Sequence, residues 1–147
     1  MKVDLIHAIE EEFQACPEAF GGPVSIQEVE QAEKELQMKL PESFKQFLQS
    51  YGSGGVGEVI VLGLREAELV STPSFVEQSL RFRTILPKGY ENFVVIGIDG
   101  AGNPVGFSDS DGGIISFDFD FGGDKWIASS FEEYIEKALK GEIGIQF

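Results

Sequence analysis

The stretch "NFVVIGIDGAGNPVGFSDSDGGIISFDFDFGGDKWIA" (residues 92–128) decides the fold class of this chain. Turn-forming pairs recur along it at short, regular spacing, at Asp99-Gly100, Asp111-Gly112 and Gly122-Gly123. They separate the short segments "PVGF", "IISFDFD" and "KWIA", a pattern that predicts an antiparallel meander of consecutive strands. The opening residues 92–98 are apolar on both alternating faces, which predicts a central strand covered on both sides.

Helices are predicted on either side of this meander, from apolar residues at helical spacing. They cover residues 3–15, 25–36, 41–52, 74–85 and 130–141. Thr72-Pro73 is expected to cap the fourth helix, and a buried strand is expected at residues 58–64. Because helices and strands are segregated rather than alternating, the sequence predicts a single α+β domain over residues 1–147. Its sheet is mainly an antiparallel β-meander, flanked by N-terminal helices and a C-terminal helix.

Two capping boxes mark helix starts in the sequence. Ser25 pairs with Glu28 at the second helix, and Ser130 pairs with Glu133 at the last one. Within the second helix, Ile26 is expected on the buried face, and the glutamates of residues 28–35 are expected on the solvent face.

The chain is strongly acidic, with 25 acidic and 11 basic side chains among 147 residues and a formal net charge of −14. Such a protein repels phosphate backbones and anionic lipids, so neither nucleic acid nor membrane is expected as a partner. Its charge steers it toward basic proteins. A single cysteine, Cys16, and the lack of a long apolar run or signal-peptide pattern predict a cytoplasmic protein, without fixing an oligomeric state.

The glycine-rich segment "GSGGVG" (residues 52–57) has the spacing of a dinucleotide-binding loop, G-x-G-x-x-G. That motif needs a strand before it and a helix after it, whereas the predicted order here is helix, then strand. The segment is therefore expected to be a flexible turn. His7 and Cys16 are the only residues of their kinds, and nothing in the sequence brings a base to a nucleophile or completes a zinc site.

Three aspartates resemble part of a calcium-binding loop. Asp109, Asp111 and Asp120 stand at its positions 1, 3 and 12, but Ile114 occupies the position that requires glycine. Strands rather than helices are expected on both sides. The sequence therefore predicts no metal site and no cofactor.

Asp118 and Asp120 alternate along a predicted strand, so their carboxylates should share one face and lie about 7 Å apart. This separation falls within the range that inverting glycosidases use. The opposite face carries the apolar residues Ile115, Phe117, Phe119 and Phe121. These apolar residues are expected to be buried in the core, so the aspartates on the other face are expected to face solvent. We therefore expect no catalytic residue and no enzyme. A hydrolase that uses both aspartates stays as an alternative, ranked third after the two binding functions given below.

Seven acidic residues and no Lys or Arg occupy the stretch from Glu91 to Asp124. Displayed on turns and on one sheet face, they concentrate negative potential and predict a binding surface for a basic protein. The predicted partner-binding residues are Asp99, Asp109, Asp111, Asp118, Asp120, Asp124 and Trp126. Trp126 is either an interface anchor or, as the favoured interpretation, an ordinary core residue.

The sequence contains two further clusters of charged residues, one acidic and one basic. Glu10, Glu11 and Glu12, together with the helix over residues 28–35, form a second acidic surface. A basic cluster is formed by Arg81, Arg83 and Lys88, which we interpret as a solvated helix face.

The segment "SIQEVEQAEKELQMKLPESFKQFLQSYGSGG" (residues 25–55) resembles the signature of the SUKH superfamily. The resemblance covers an acidic residue and leucine in an amphipathic helix, a Leu-Pro pair, a helix with aromatic and leucine positions, and a Gly-Gly turn. These are Glu33 and Leu36, Leu40-Pro41, Phe44, Phe47, Leu48 and Tyr51, and Gly54-Gly55. Ser53 departs from the family pattern, which often has Asn before the two glycines.

The later segments "VVIGIDGAGNPVGFS" and "WIASSFEEYIEKAL" are also similar to this superfamily, so the resemblance spans most of residues 25–140. The superfamily contains fungal cell-wall synthesis regulators and many bacterial immunity proteins of polymorphic toxin systems. The resemblance implies a non-enzymatic, intracellular binding protein that neutralises a cognate toxin, often a nuclease. The alternative is a regulatory or scaffolding module that binds another intracellular protein.

Overall fold

The computed structural model describes residues 1–109 and 111–143 of the chain. Within that part, five α-helices and six β-strands form. The helices are α1 (Val3–Ala15), α2 (Ile26–Leu36), α3 (Glu42–Tyr51), α4 (Phe75–Ile85) and α5 (Phe131–Leu139). The strands are β1 (Gly54–Val56), β2 (Val59–Val61), β3 (Val94–Ile98), β4 (Pro104–Phe107), β5 (Ile114–Asp118) and β6 (Gly123–Ala128).

The four later strands form the predicted antiparallel meander, in the order β3-β4-β5-β6. This confirms the α+β class and the flanking helices. The short hairpin β1-β2 forms a separate two-stranded sheet. Its second strand covers residues 59–61, which is shorter than the predicted strand over 58–64.

Strand β3 is buried as predicted but is not central, because it lies at the edge of the four-stranded sheet. Its free edge is covered by other elements. The backbone N–H of Leu62 donates to the carbonyl of Ile96 at 2.8 Å, and the Ser79 hydroxyl accepts from the N–H of Val95 at 2.7 Å. These bonds satisfy edge groups that would otherwise be buried without partners, so the strand is apolar on both faces without being central.

The glycine-rich segment 52–57 contains a strand rather than a flexible turn. Gly54 opens β1 and lies so close to the ring of Phe20 that a side chain there would overlap it. Ser53 is fully buried, and its hydroxyl donates to the carbonyl of Arg65 at 2.6 Å. The glycine therefore permits close packing, and the serine that departs from the family pattern has a structural hydrogen bond.

The core is organised around Phe44 in α3, which is fully buried. Its ring packs against Phe75 of α4, Phe107 of β4 and Phe131 of α5, with centroid distances of 5.3, 5.5 and 5.2 Å. Edge-to-face arrangements at such distances are favourable for aromatic rings. This one side chain therefore joins three helices to the sheet.

Helix α2 corrects two expectations about its faces. Ile26 is 39% exposed rather than buried, because side chains lean toward the N-terminus and it is the first helical residue. Glu33, expected in solvent, is buried, and its carboxylate accepts from the backbone N–H of Leu40 at 2.7 Å. The ammonium of Lys45 lies 4.0 Å away. Burial of this carboxylate is tolerated because it satisfies a backbone donor in the α2–α3 loop.

Helix α4 begins at Phe75, one residue later than expected. Its cap is Ser74, whose hydroxyl accepts from Val76 and Glu77, and not Thr72. Thr72 is buried and uses its hydroxyl to accept from the N–H of Ala67 at 2.8 Å. Both capping boxes place their hydroxyls as predicted. No helix in the described residues is long and apolar enough to cross a membrane.

Replacement of Glu33 tests this buried contact. Glu33→Ala leaves the Leu40 N–H buried without an acceptor, so we expect the free energy of unfolding to fall by about 2 kcal/mol. The matched variant Glu33→Gln keeps an amide oxygen in the same place and should lose less than half of that. Urea unfolding monitored by circular dichroism measures both. Equal losses in the two variants would show that the charge, not the hydrogen bond, stabilises this position.

The carboxylate of Glu133 gives a pH-dependent contribution to stability. It accepts from the N–H and the hydroxyl of Ser129, both at 3.1 Å. These contacts, led by the backbone N–H, hold the pKa of Glu133 below its usual 4.5. The unfolded chain thus binds more protons near this pH, so the stabilisation is present above pH 4.5 and is lost as the pH falls through the lower, folded value.

We expect Glu133→Gln to be less stable than the unsubstituted protein at pH 7, with the difference shrinking as the pH falls through 4.5. The adjacent Glu132→Gln is the control, because among the described residues the Glu132 carboxylate accepts only a 3.4 Å hydrogen bond, from the N–H of Lys2. Urea midpoints measured across this range give the comparison. A Glu133→Gln difference that stays constant with pH would contradict the assigned role.

Candidate protein-binding surface

The meander divides the predicted acidic residues between two ends of the sheet. In an antiparallel meander, alternate turns lie at the same end, so the β3–β4 and β5–β6 turns share one end and the β4–β5 turn lies at the other. We call the first the hairpin end and define it as residues 98–103 and 118–124. It holds Asp99, Asp118, Asp120 and Asp124, whereas Asp109 and Asp111 lie at the opposite end.

A buried asparagine joins the two turns of the hairpin end. The carboxylate of Asp99 accepts from the backbone N–H groups of Ala101 and Asn103, both at 2.9 Å. The side-chain oxygen of Asn103 in turn accepts from the N–H of Phe119, across the neighbouring turn, at 3.1 Å. Aspartate side chains commonly close turns in this way. The two turns therefore form one hydrogen-bonded unit.

The second turn is closed by Asp118. Its carboxylate accepts from the N–H of Asp120 at 2.8 Å and of Phe121 at 3.3 Å. Strand β5 ends at Asp118, so the expectation that Asp118 and Asp120 share one strand face is wrong. The geometric basis for a hydrolase with these two carboxylates is lost. The physical reason is local, because Asp118 begins the turn that ends at Gly122-Gly123.

Aromatic side chains stand exposed among these carboxylates. Phe121 is 89% exposed and Phe119 is 42% exposed, so the expectation that both lie in the core is wrong. Trp126, for which core packing was favoured, is 60% exposed. The ammonium of Lys137 lies 4.7 Å from the centre of its ring, a favourable cation–π arrangement. The Gly122-Gly123 pair was the signal in the sequence that β5 had to end before these phenylalanines.

The remaining aspartates differ in whether their carboxylates accept hydrogen bonds within the protein. Asp124 accepts from the hydroxyl of Tyr90 at 2.9 Å, and burial together with this bond raises the pKa of Tyr90. Asp109 closes its own turn by accepting from the N–H of Asp111 at 2.9 Å. The carboxylates of Asp111 and Asp120 form no hydrogen bond or ion pair with the residues that the structure describes. Each sheet end thus carries one uncommitted carboxylate.

The competing acidic surface is committed in part to internal contacts. Glu10 accepts from the hydroxyl of Tyr51 at 2.6 Å, and Glu12 accepts from a backbone N–H in the β1–β2 turn at 2.7 Å. Glu28 pairs with Arg65 at 2.7 Å. These carboxylates hold the fold together, but Glu11, Glu30 and Glu35 form no hydrogen bond or ion pair with the residues that the structure describes. The exposed aromatic rings, rather than a greater number of free charges, therefore favour the hairpin end as the candidate for a partner.

The basic cluster is not a solvated helix face throughout. The guanidinium of Arg83 donates to the carbonyl of Phe93 at 3.0 Å and to that of Leu36 at 2.9 Å. Burial lowers the pKa of Arg83. It therefore links α4 to the end of α2 and to the start of β3, while Arg81 stays exposed, 4.5 Å above the ring of Phe82.

Among residues 1–109 and 111–143, no three His, Cys, Asp or Glu side chains are arranged to hold a metal ion. At the hairpin end, the carboxylates of Asp99 and Asp118 instead accept hydrogen bonds from the backbone of their own turns. What the arrangement offers is a shaped, negatively charged surface with exposed aromatic rings.

Removal of the Asn103 side chain should uncouple the two turns. Asn103→Ala leaves the N–H of Phe119 without its acceptor, so we expect a loss of about 1 kcal/mol in unfolding free energy and faster hydrogen exchange at that amide. Asp120→Asn is the control, because it changes a nearby carboxylate that makes no hydrogen bond or ion pair with the residues that the structure describes. Native-state hydrogen exchange followed by NMR measures both. Unchanged protection of the Phe119 amide in Asn103→Ala would contradict the coupling.

Comparison with known families completes the description of the surface. The model of the SMI1 / KNR4 family (SUKH-1) matches residues 23–137 of the chain. This span begins just before α2, ends within α5 and includes the whole four-stranded sheet with its hairpin end. A comparison with curated proteins finds no significant match.

Proposed function

The chain belongs to the SMI1 / KNR4 family (SUKH-1), and from this membership we propose that it is an immunity protein. It binds the catalytic domain of a cognate toxin of a bacterial polymorphic toxin system, a basic nuclease-type domain, and blocks it without chemistry of its own. Family membership is consistent with toxin-immunity or SMI1/KNR4-like roles, and such proteins are generally immunity or regulatory proteins rather than enzymes.

Charge supports a basic partner. The net charge of −14 matches a nuclease domain, because proteins that grip phosphate backbones carry Lys and Arg on the gripping surface. Complementary charge speeds association and suppresses wrong partners. The proposal places this encounter in the cytoplasm, where the single Cys16 stays reduced.

The single observation that carries the proposed interface is the exposure of Phe121 beside turn-bound carboxylates. Interface hot spots combine exposed aromatic anchors with a polar rim. Phe121 is 89% exposed on a turn that Asp118 holds in place, so little ordering is needed on binding. Asp120 supplies the uncommitted charge, and Trp126 lies farther along β6. Asp109 and Asp111, at the opposite end, are left outside this proposed interface.

We propose further that residues 1–147 act as one domain. Leu5 and Ile9 of α1 belong to the same hydrophobic core cluster as Phe44 and Ile114, although the family match begins only at residue 23.

The alternative function is a regulatory or scaffolding module that binds another intracellular protein, since the family also includes SMI1/KNR4-like roles. Co-expression with the toxin domain encoded next to its gene separates the two. Rescue of growth and a purified complex support the immunity role. Binding to a different basic protein, with no rescue, supports the alternative.

Two variants at the hairpin end test the interface in that complex. Asp120→Lys should slow association about tenfold at low ionic strength, with the difference narrowing as salt screens the charge. Phe121→Ser should speed dissociation by about 30-fold, the effect of losing an aromatic hot spot. Surface plasmon resonance at several salt concentrations gives both rates.

Asp111→Lys is the matched control, because it makes the same change of charge at an equally uncommitted carboxylate of the opposite end. Association should slow far less in this variant than in Asp120→Lys. Equal slowing by both would mean that only the total charge matters. Unchanged rates in Phe121→Ser would exclude the hairpin end as the interface even if immunity stands.

A further inference from the structure

A concave feature adjoins the hairpin end and shares Asp99 with it. This hollow, of about 260 Å³, lies between the β1-β2 hairpin and the β3–β4 turn. Its apolar walls are Ile60 and Ile98, which are 41% and 40% exposed, and Glu58 lies on its rim with Asp99. It is smaller than the roughly 300–1,000 Å³ typical of small-molecule pockets, so its size suits one inserted side chain.

A hydroxyl that has no hydrogen-bond partner among the described residues opens onto this hollow. Tyr134 of α5 is only 3% exposed and lines it, and its hydroxyl makes no hydrogen bond within the described part of the chain. Burial, and then the charge of Asp99, raises the pKa of Tyr134, so the hydroxyl stays protonated and keeps its lone pairs free. The hydroxyl oxygen keeps solvent contact through the hollow, and a ligand that donates a hydrogen bond there would take the place of solvent.

The space in front of this hydroxyl exists because residue 97 is glycine. A Cβ on Gly97 would stand 3.5 Å from the Tyr134 hydroxyl oxygen and 3.5 Å from the carbonyl of Ile60. Both are ordinary contact distances, and Gly97 lacks a positive φ, so neither packing nor backbone conformation requires glycine here. The missing methyl group leaves room next to the hydroxyl that a partner's side chain can occupy.

We propose that the hollow receives an arginine side chain of the basic partner. The methylene groups of the arginine would pack between Ile60 and Ile98, and its guanidinium would lie beside Asp99 and Glu58 and donate to the Tyr134 hydroxyl. Three acceptor groups around an apolar channel suit the forked, five-donor guanidinium better than the compact ammonium of lysine. The inference rests on the proposed function, since it names how the basic partner is anchored.

The hollow can be tested without the partner by NMR titration. The probes are Nα-acetyl-arginine amide and the matched Nα-acetyl-citrulline amide, which has a similar shape but no charge. We expect saturable shifts of the Ile60, Gly97 and Asp99 amides with the arginine probe alone. Asp99→Asn should weaken the response about threefold. Equal shifts with citrulline, or shifts spread over all acidic surfaces, would overturn the proposal. An equal response to Nα-acetyl-lysine amide would overturn the choice of arginine.

Gly97→Ala fills the space beside the hydroxyl and should remove the localised shifts. Gly113→Ala is its control, because Gly113 also lacks a positive φ, and a Cβ there would meet nothing closer than 4.0 Å. Gly113 lies at the opposite end of the sheet, so this variant should respond like the unsubstituted protein. Localised shifts that survive in Gly97→Ala would contradict the proposed position of the side chain.

Tyr134→Phe separates a binding role from a structural one. Because the hydroxyl has no partner to lose, the urea midpoint should stay the same or rise, while the arginine-induced shifts weaken. Tyr51→Phe is the comparison, since it removes a hydroxyl bonded to Glu10 at 2.6 Å and should lower the midpoint. A Tyr134→Phe variant that is destabilised like Tyr51→Phe, with its arginine response intact, would overturn the role of the hydroxyl.

Binding to the adjacent-gene toxin domain distinguishes the two proposals. If the complex forms, Gly97→Ala should weaken it at least about tenfold, as expected when an arginine anchor is lost. If the complex forms with unchanged affinity in Gly97→Ala and Tyr134→Phe, the proposed arginine site in the hollow is wrong and the immunity role stands. A localised arginine response without any toxin complex would support the hollow and overturn the immunity role.

Discussion

The packing of Phe44 is the contact on which the rest of the structure depends. Its ring lies within 5.5 Å of the ring centres of Phe75, Phe107 and Phe131. These side chains come from α3, α4, β4 and α5, so a single aromatic cluster fixes three helices against the meander. The β5–β6 turn is anchored in part, since Phe119 stacks on Phe82 of α4. Its tip at Phe121 remains at the surface, where it is available to a partner.

Antiparallel topology then decides which acidic residues can act together. Alternate turns of a meander must lie at the same end of its sheet, and for this reason Asp99 joins Asp118 and Asp120 while Asp109 and Asp111 are separated from them. The carboxylates also have a structural duty, because those of Asp99 and Asp118 close their own turns. The same residues thus stiffen the surface and charge it, which lowers the ordering cost of binding.

Asp99 connects the two proposed binding features. Its carboxylate builds the β3–β4 turn, and it also lines the hollow in which the Tyr134 hydroxyl lies without a partner. A basic surface that meets the aromatic turn around Phe121 would have this hollow beside it. The arrangement separates roles along one edge of the molecule: apolar contact at Phe121, and recognition of a cation beside Asp99 and Tyr134.

The sequence by itself determined the features that depend on neighbouring residues. The meander, the α+β class and the capping boxes at Ser25 and Ser130 follow from turn and helix signals a few residues long, because their hydrogen bonds are local. Only the tertiary structure decided which side chains are buried. Glu33 is inside because the α2–α3 loop folds back and offers the N–H of Leu40. Trp126 stays 60% exposed although Lys137 of α5 lies over its ring, and Phe121 is outside because no element in the described part of the chain buries it. Burial depends on contacts between residues far apart in the chain, and alternation along one strand does not contain that information.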